Sequence, residues 1–336
     1  MNEPVSPVHL ALGALLVALA VAAIFARTRN GSALLFLAFG AVLATVWAVV
    51  GSPDVALAEA ALGAGVMGAL MVAMVTRHPR RFPLRDRSES PPRTLAVLSM
   101  ASLAIVTLIV GVGAALTPTL GEQPRWQEPV AQQLPNAGFE HGVTAVLLNF
   151  RAYDTLLESF VIVLGAVAVT ALVDWPGGPP PAASPRLPEA FRWFVGLAAP
   201  ALLVFAGWVL FAGTSQAGGA FQSGAVLTGL LILLRHSPFD PTPRLHRWLP
   251  VAVTMGVVVF VASAALGPLA GQPWLRYDPA IVGPVLVGVE IVLTLGIAAG
   301  LFALYLCLSA GDGPLREETD AGPAADPQPE AGEVSS

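Results

Sequence analysis

Long apolar runs dominate the chain, and short polar segments separate them. A bilayer core requires about 20 apolar residues per helix. The segments of suitable length lie at 8–26, 32–50, 53–75, 95–116, 153–173, 191–212, 217–234, 248–267 and 280–309. The pattern therefore predicts an all-α fold, a polytopic integral membrane helical protein with about nine transmembrane helices.

The distribution of arginine predicts how these helices are oriented. All 17 basic residues are arginines. If the N-terminus lies outside, the external segments hold only Arg125, Arg151 and Arg276, and the remaining arginines lie in internal segments. Internal loops of membrane proteins carry such an excess of basic residues. We therefore expect an external N-terminus, an internal C-terminus and a location in the bacterial inner (plasma) membrane.

Composition supports a lipid environment and excludes several classes of function. The chain is 55% hydrophobic and 12% charged, whereas soluble domains carry roughly 25% charged residues. The single cysteine, Cys307, excludes an intrachain disulfide and a cysteine-cluster metal site. His236, Asp240 and His246 lack the spacing of a zinc site, and we interpret them as solvated. We expect no enzyme activity, no cofactor, no metal and no nucleic-acid binding, since no catalytic triad and no basic stripe is present.

Loops rich in proline or charge divide the chain into modules. Residues 1–94 form a three-helix membrane module and residues 95–175 a two-helix module. A proline-rich linker at 176–190 is expected to be a semi-rigid cytoplasmic spacer. A four-helix module follows at 191–310, and the acidic tail at 311–336 is predicted to be disordered.

Two acidic residues lie at the start of the third span. Ser52 and Pro53 suit the N-cap and the first helical position, and Asp54 in the first turn suits the helix dipole. Capping alone could therefore explain Asp54. Glu59 lies about 7.5 Å further along the helix axis, beyond any capping role. It stands beside a row of small residues that predicts close helix packing: Ala56, Ala60, Ala64 and Gly68. Glu59 should therefore face protein or a hydrated cavity.

Further charged residues occur in the fifth and ninth spans. Arg151, Asp154 and Glu158 have the spacing of one helical face. They form either an ion pair that anchors the helix or a polar step on an ion path. The apolar run at 143–173 is too long for one upright helix, so it either tilts or bends before the span starts. Glu290 lies near mid-bilayer among apolar neighbours, where a lone charge costs about 3 kcal/mol. It is either protonated, partnered from another helix or exposed to water.

Three segments resemble subunits of one family. The stretch GSPDVALAEAALGAG at 51–65 resembles a module at the C-terminal end of the large subunit of Mrp-type multisubunit cation/proton antiporters. The same module occurs as a small subunit of membrane-bound hydrogenases. The stretch VTAVLLNFRAYDTLLE at 143–158 resembles the next module of the large subunit. The four-helix block resembles the antiporter B subunit, although Thr214 stands where the B subunit has histidine.

The resemblance implies that Glu59, Asp154 and Glu158 line a cation or proton path. We expect a non-catalytic subunit of a monovalent cation (Na+)/proton antiporter, with the other subunits, the lipid bilayer, protons and monovalent cations as partners. The modules are shared, so a membrane-arm subunit of a redox-driven complex, hydrogenase-like or complex-I-like, is an alternative. A purely structural subunit, in which acids only hold helices together, is another.

Overall fold

The structure, a computed structural model, describes residues 7–26, 28–77, 127–172 and 188–309. All regular elements in these ranges are helical. Seven of the helices are long and apolar enough to cross a membrane, and an eighth apolar helix has 16 residues. These helices correspond to eight of the predicted spans. The predicted span at 95–116 and the tail at 311–336 lie outside the described residues, as does most of the linker at 176–190. The described part of the chain is thus all-helical, and the protein is a multi-pass membrane protein.

The first three helices pack side by side. They are α1 (Pro7–Ile24), α2 (Arg29–Val49) and α3 (53–77). The small-residue row of α3 lies against α2, because a Cβ on Gly40 would stand 3.2 Å from the Cα atom of Ala64. Such close backbone approach is how helices associate in lipid, where apolar burial gives little driving force. α1 contacts α2 and has no buried residue of its own.

α3 is not a uniform α-helix. It begins as an α-helix at Pro53–Ala58, widens to a π-helix at Glu59–Val66 and returns to an α-helix at Met67–Arg77. A π segment shifts the faces that residues present, so the 3.6-residue period does not hold across it.

The predicted long run at 143–173 is divided at Arg151. A short helix α4 (Gln127–Gln133) precedes α5, which begins at Gly142–Ala145 and continues as a π turn at Val146–Phe150. The backbone breaks at Arg151, with φ −129° and ψ 42°, and α6 follows at Ala152–Leu172. The hydroxyl of Thr155 donates to the carbonyl of Leu147 at 2.7 Å, which satisfies a backbone group freed by the break. The bend alternative therefore holds. One side of α5 is buried, at Thr144, Ala145 and Leu148, whereas Val143, Leu147 and Phe150 are exposed.

The C-terminal block is built around its last helix. Its elements are α7 (Glu189–Ala212), α8 (Ala220–Arg235), α9 (Thr242–Leu245), α10 (Leu249–Ala264), α11 (Leu266–Leu269) and α12 (Val282–Ser309). Most of α12 is buried, and it packs against α6, α8 and α10. Glycines permit this: a Cβ on Gly224 would stand 2.8 Å from Ile297, and a Cβ on Gly300 would stand 2.7 Å from Ile162.

The polar loop after α8 is more ordered than its sequence indicates. Arg235 is 6% exposed, and its guanidinium lies 2.5 Å from the carboxylate of Asp240. The Nε2 atom of His236 lies 2.6 Å from the hydroxyl of Tyr305. The interpretation of Asp240 and His236 as solvated is therefore wrong. Both side chains have protein partners, and the spacing of residues within the loop does not predict these contacts.

Candidate functional site

A glycine-containing loop between α7 and α8, residues 213–219, folds back into the helix bundle. Gly218 has φ 156° and Gly219 has φ 129°. The N–H of Gly219 donates to the carbonyl of Val209 at 3.0 Å, and a Cβ on Gly218 would overlap that same carbonyl. Both the backbone angles and the lack of space therefore require glycine at this point. The loop lets α8 start inside the bundle instead of at its surface.

Glu290 lies at the N-terminus of α8. The backbone N–H of Ala220, the first residue of α8, donates to its carboxylate. Gly219 at the N-cap position supplies no capping side chain, so a carboxylate from α12 serves as the cap. The side chain is 4% exposed. The first-turn amides and the positive end of the helix dipole both favour an anion here, which explains how an acid is accommodated within an apolar helix.

Glu290 is one of three acids on a single cavity, which we name the acidic cavity. Its volume is about 450 Å³. Its wall is formed by α3, α5, α6, α12 and the start of α8 with its preceding loop. The lining residues are Asp54, Val55, Ala58, Leu62, Val143, Thr144, Leu147, Leu148, Thr155, Glu158, Gly218, Gly219, Ala220, Phe221, Gln222 and Glu290. None of these residues is an arginine.

Both π segments contribute to the acidic cavity. Leu62 belongs to the π segment of α3, and Leu147 and Leu148 belong to that of α5. π segments in membrane and soluble helices occur frequently at functional sites, because they free or redirect backbone groups. The cavity therefore lies where two helices, α3 and α5, depart from regular α geometry and where α8 begins.

Asp54 is held by a histidine from another part of the chain. The Nε2 atom of His141 lies 3.1 and 3.0 Å from the two carboxylate oxygens of Asp54. The two side chains are 19% and 15% exposed. Ser52 occupies the N-cap position of α3, but its side chain makes no capping hydrogen bond. Sequence reasoning missed His141, whose only signal was an ionisable residue directly before an apolar run.

Arg151 and Asp154 lie outside the acidic cavity that Glu158 lines. The Nη2 atom of Arg151 lies 2.7 Å from Asp154 Oδ2, and the side chains are 69% and 38% exposed. Neither residue lines the acidic cavity. An exposed ion pair contributes about 0–1 kcal/mol, so this geometry favours the anchoring alternative for the pair. Glu158, one turn further, faces the cavity.

Glu59 lies in the π segment of α3 and does not line the acidic cavity. Its carboxyl folds along its own helix against Gly63, where a Cβ would stand 2.6 Å from the carboxyl carbon. The side chain is partly exposed, and within the described ranges no ion pair includes it. Glu59 is thus an acidic residue that is partly exposed on the outer surface of the helix bundle, within a membrane span.

The three cavity acids do not form a fixed metal centre. Among the described residues, no group of three or more histidine, cysteine, aspartate or glutamate side chains converges closely enough to hold a metal ion. The acids are instead distributed over the wall of one cavity. Neighbouring carboxylates repel each other when all are ionised, and bound protons or cations relieve that repulsion. The arrangement is suited to transient neutralisation at several positions.

Two family models match separate parts of the chain. Residues 14–80 match the MbhD model, which describes the D subunit of MBH. Residues 190–307 match the MnhB model, a domain related to the MnhB subunit of a Na+/H+ antiporter. No curated protein sequence matches the chain at a significant level.

Solved structures show the same fold. One is a chain of the Mrp complex from Dietzia sp. DQ12-45-1b, with a TM-score of 0.73 and 20% identity over 94% of this chain and 36% of that chain. Another is a chain of the membrane-bound sulfane sulfur reductase (MBS), an archaeal respiratory membrane complex, with a TM-score of 0.50 and 18% identity. That match covers 63% of this chain and 98% of the MBS chain. This protein spans about a third of the length of the Mrp chain. The chain therefore joins an MbhD-type domain to an MnhB-related domain in one polypeptide, as the resemblance to Mrp-type modules predicted.

Proposed function

We propose that this chain is a non-catalytic membrane subunit of a multisubunit monovalent cation/proton antiporter, with Na+ as the cation. The proposal rests above all on one observation: Asp54, Glu158 and Glu290, from three different helices, line a single cavity. Acids within spans are costly and are typical of ion and proton paths. The MnhB-related and MbhD-type domains support the same assignment.

The three acids lie at different distances from the starts of their own helices, and this spread supports a path along the bundle. Asp54 is in the first turn of α3. Glu158 lies six residues after the start of α6, or about 9 Å along its axis, and Glu290 lies eight residues after the start of α12, or about 12 Å. The amide of Gln222 and the hydroxyl of Thr155 lie on the same wall. We also propose that the end of the bundle at which α3 begins faces outside, as the arginine distribution predicts.

Partner subunits are part of the proposal. Glu59 is partly exposed on the side of a span, where contact with lipid would cost about 3 kcal/mol. α1 has no buried residue in this chain. A neighbouring subunit that covers α1 and the Glu59 side of α3 would explain both features. Glu59 would then belong to the path at a subunit interface instead of within this chain.

A membrane-arm subunit of a redox-driven complex is the second candidate. Two observations favour it: the match of residues 14–80 to a subunit model of MBH, and a shared fold with a chain of MBS, a respiratory complex. The acidic cavity would have the same role in either complex, since only the source of energy differs. Proteins that co-purify in mild detergent decide between the two candidates: antiporter subunits alone support the first, and metal-binding redox subunits support the second.

The central experiment is Glu158→Gln in the assembled complex. The amide keeps the shape of the side chain but cannot exchange a proton or carry charge. We expect near-complete loss of cation-dependent proton flux in membrane vesicles, with normal assembly. Glu189→Gln is the matched control, because Glu189 is exposed at the start of α7 and does not line the cavity. Wild-type flux in an assembled Glu158→Gln complex would exclude the cavity path and support a structural role.

A further inference from the structure

We infer that His141 is the gate residue between the acidic cavity and a second cavity that opens at the same end of the bundle. The inference rests on the proposed function, because it concerns access to the proposed path. His141 is not one of the cavity acids, and its imidazole is the group that an arriving cation displaces from Asp54.

The second cavity, which we name the open cavity, has a volume of about 730 Å³. Its lining residues include Gly138, Phe139, Glu140, Thr214 and Ser215. Two chain segments, 138–144 and 213–219, contribute to both cavities. Residues 138–140, 214 and 215 line the open cavity, and residues 143, 144, 218 and 219 line the acidic cavity. The middle of each segment therefore forms the partition between the two spaces.

His141 lies in this partition and contacts both sides. Its backbone N–H donates to the carbonyl of Thr214, a residue of the open cavity, at 3.2 Å. Its imidazole bonds to Asp54, a residue of the acidic cavity, at 3.0 Å. The hydroxyl of Thr144 donates to the carbonyl of Gly213 at 2.7 Å and ties the two segments together beside it.

Side-chain rotation of His141 can open the partition without loosening it. A change of χ1 breaks the contact with Asp54 but leaves the backbone bond to Thr214 and the bond from Thr144 to Gly213 in place. The barrier to such a rotamer change is small compared with that of moving a helix. The imidazole is therefore the movable part of the partition, and the two chain segments are its fixed frame.

The chemistry of the contact indicates what opens it. A proton on Nε2 of His141 is donated to the carboxylate of Asp54 and lies between its two oxygens, so a cation that binds both oxygens from this side displaces the imidazole. The other charged groups at the two cavities are Glu140, Glu158 and Glu290, all of them acids. Access through the gate is thus coupled to neutralisation of Asp54, and small cations are favoured over anions.

The test is the accessibility of an introduced thiol. Cys307 is the only cysteine of the chain, so Ala58→Cys in a Cys307→Ala background places a single thiol on the wall of the acidic cavity. The probe is a membrane-impermeant trimethylammonium methanethiosulfonate, applied to the intact complex from the proposed outer side. We expect His141→Ala to accelerate labelling of this thiol at least tenfold. His141→Gln, which can still bond to Asp54, should give a much smaller increase.

Two controls separate a gate from general loosening. Ser215→Cys, on the open cavity, should label at the same rate with and without His141→Ala. Cys307, which is buried in α12, should stay unlabelled when His141→Ala is made in the natural background. Unchanged labelling of Ala58→Cys, or new labelling of Cys307, would overturn the inference. Labelling does not require transport, so a failed gate leaves the flux result of Glu158→Gln unaffected, and the reverse also holds.

Discussion

The cap that Glu290 provides for α8 leads to a prediction with a calculable magnitude. Two substitutions remove the charge but differ at the cap: Glu290→Gln keeps an oxygen that can accept from the N–H of Ala220, whereas the apolar side chain of Glu290→Leu has no acceptor. Glu290→Leu therefore removes the side-chain acceptor of this N–H at a position where Glu290 is only 4% exposed. We therefore expect the two variants to differ in stability although both lack the charge.

The terms can be estimated from the contacts. Replacing the carboxylate by an amide weakens the hydrogen bond by about 1 kcal/mol and loses about 0.3–2 kcal/mol of interaction with the helix dipole. It also removes a buried charge from the span, and this change is favourable because burying that charge costs about 3 kcal/mol. These terms oppose each other, so the free energy of unfolding of Glu290→Gln should lie within about 2 kcal/mol of the wild-type value. Glu290→Leu leaves the Ala220 N–H without an acceptor and should be less stable than Glu290→Gln by about 1–3 kcal/mol.

The measurement combines unfolding temperature with transport. Intrinsic fluorescence of the purified complex should show a melting temperature for Glu290→Leu several degrees below that of Glu290→Gln. Both variants should lose cation-dependent proton flux, because neither can exchange a proton at position 290. Glu189→Gln serves as the surface control. Equal melting temperatures for the two Glu290 variants would refute the cap, and retained flux in Glu290→Gln would remove Glu290 from the path.

Two further predictions concern Glu59 and the topology. Glu59→Gln in an assembled complex should abolish most cation-dependent proton flux if Glu59 completes the path against a partner; Gly63→Ala should act in the same direction, because its Cβ would displace the Glu59 carboxyl. Normal flux in both variants would show that Glu59 is not part of the path and serves only in helix packing. A reporter protein fused after Ser336 should be active only on the cytoplasmic side. Activity on the opposite side would contradict the proposed orientation, and the thiol probe for the gate would then have to be applied from the other side.

The sequence was sufficient to predict the membrane-spanning helices and the few acidic residues that lie within them. Span length is set by bilayer thickness, so apolar runs such as 32–50 and 280–309 predict helices without any knowledge of their neighbours. The acids Asp54, Glu158 and Glu290 stand out for a similar reason, since any ionisable group in a span is costly. The resemblance of the stretches at 51–65 and 143–158 to Mrp-type modules was equally visible, because both motifs are local.

The tertiary structure alone decided which of these residues meet. Asp54 and His141 are 87 positions apart. Glu290 and Ala220 belong to two helices that are separated in the chain by α9, α10 and α11. No local pattern records such contacts. The helical period also failed where the backbone changes geometry: Arg151 lies at a break, so it could not share a face with Glu158 in the way that regular spacing predicts. Periodicity describes one uninterrupted helix, whereas the cavity is formed where helices widen, break and begin inside the bundle. Its position therefore depends on packing between distant segments, which the order of residues does not reveal.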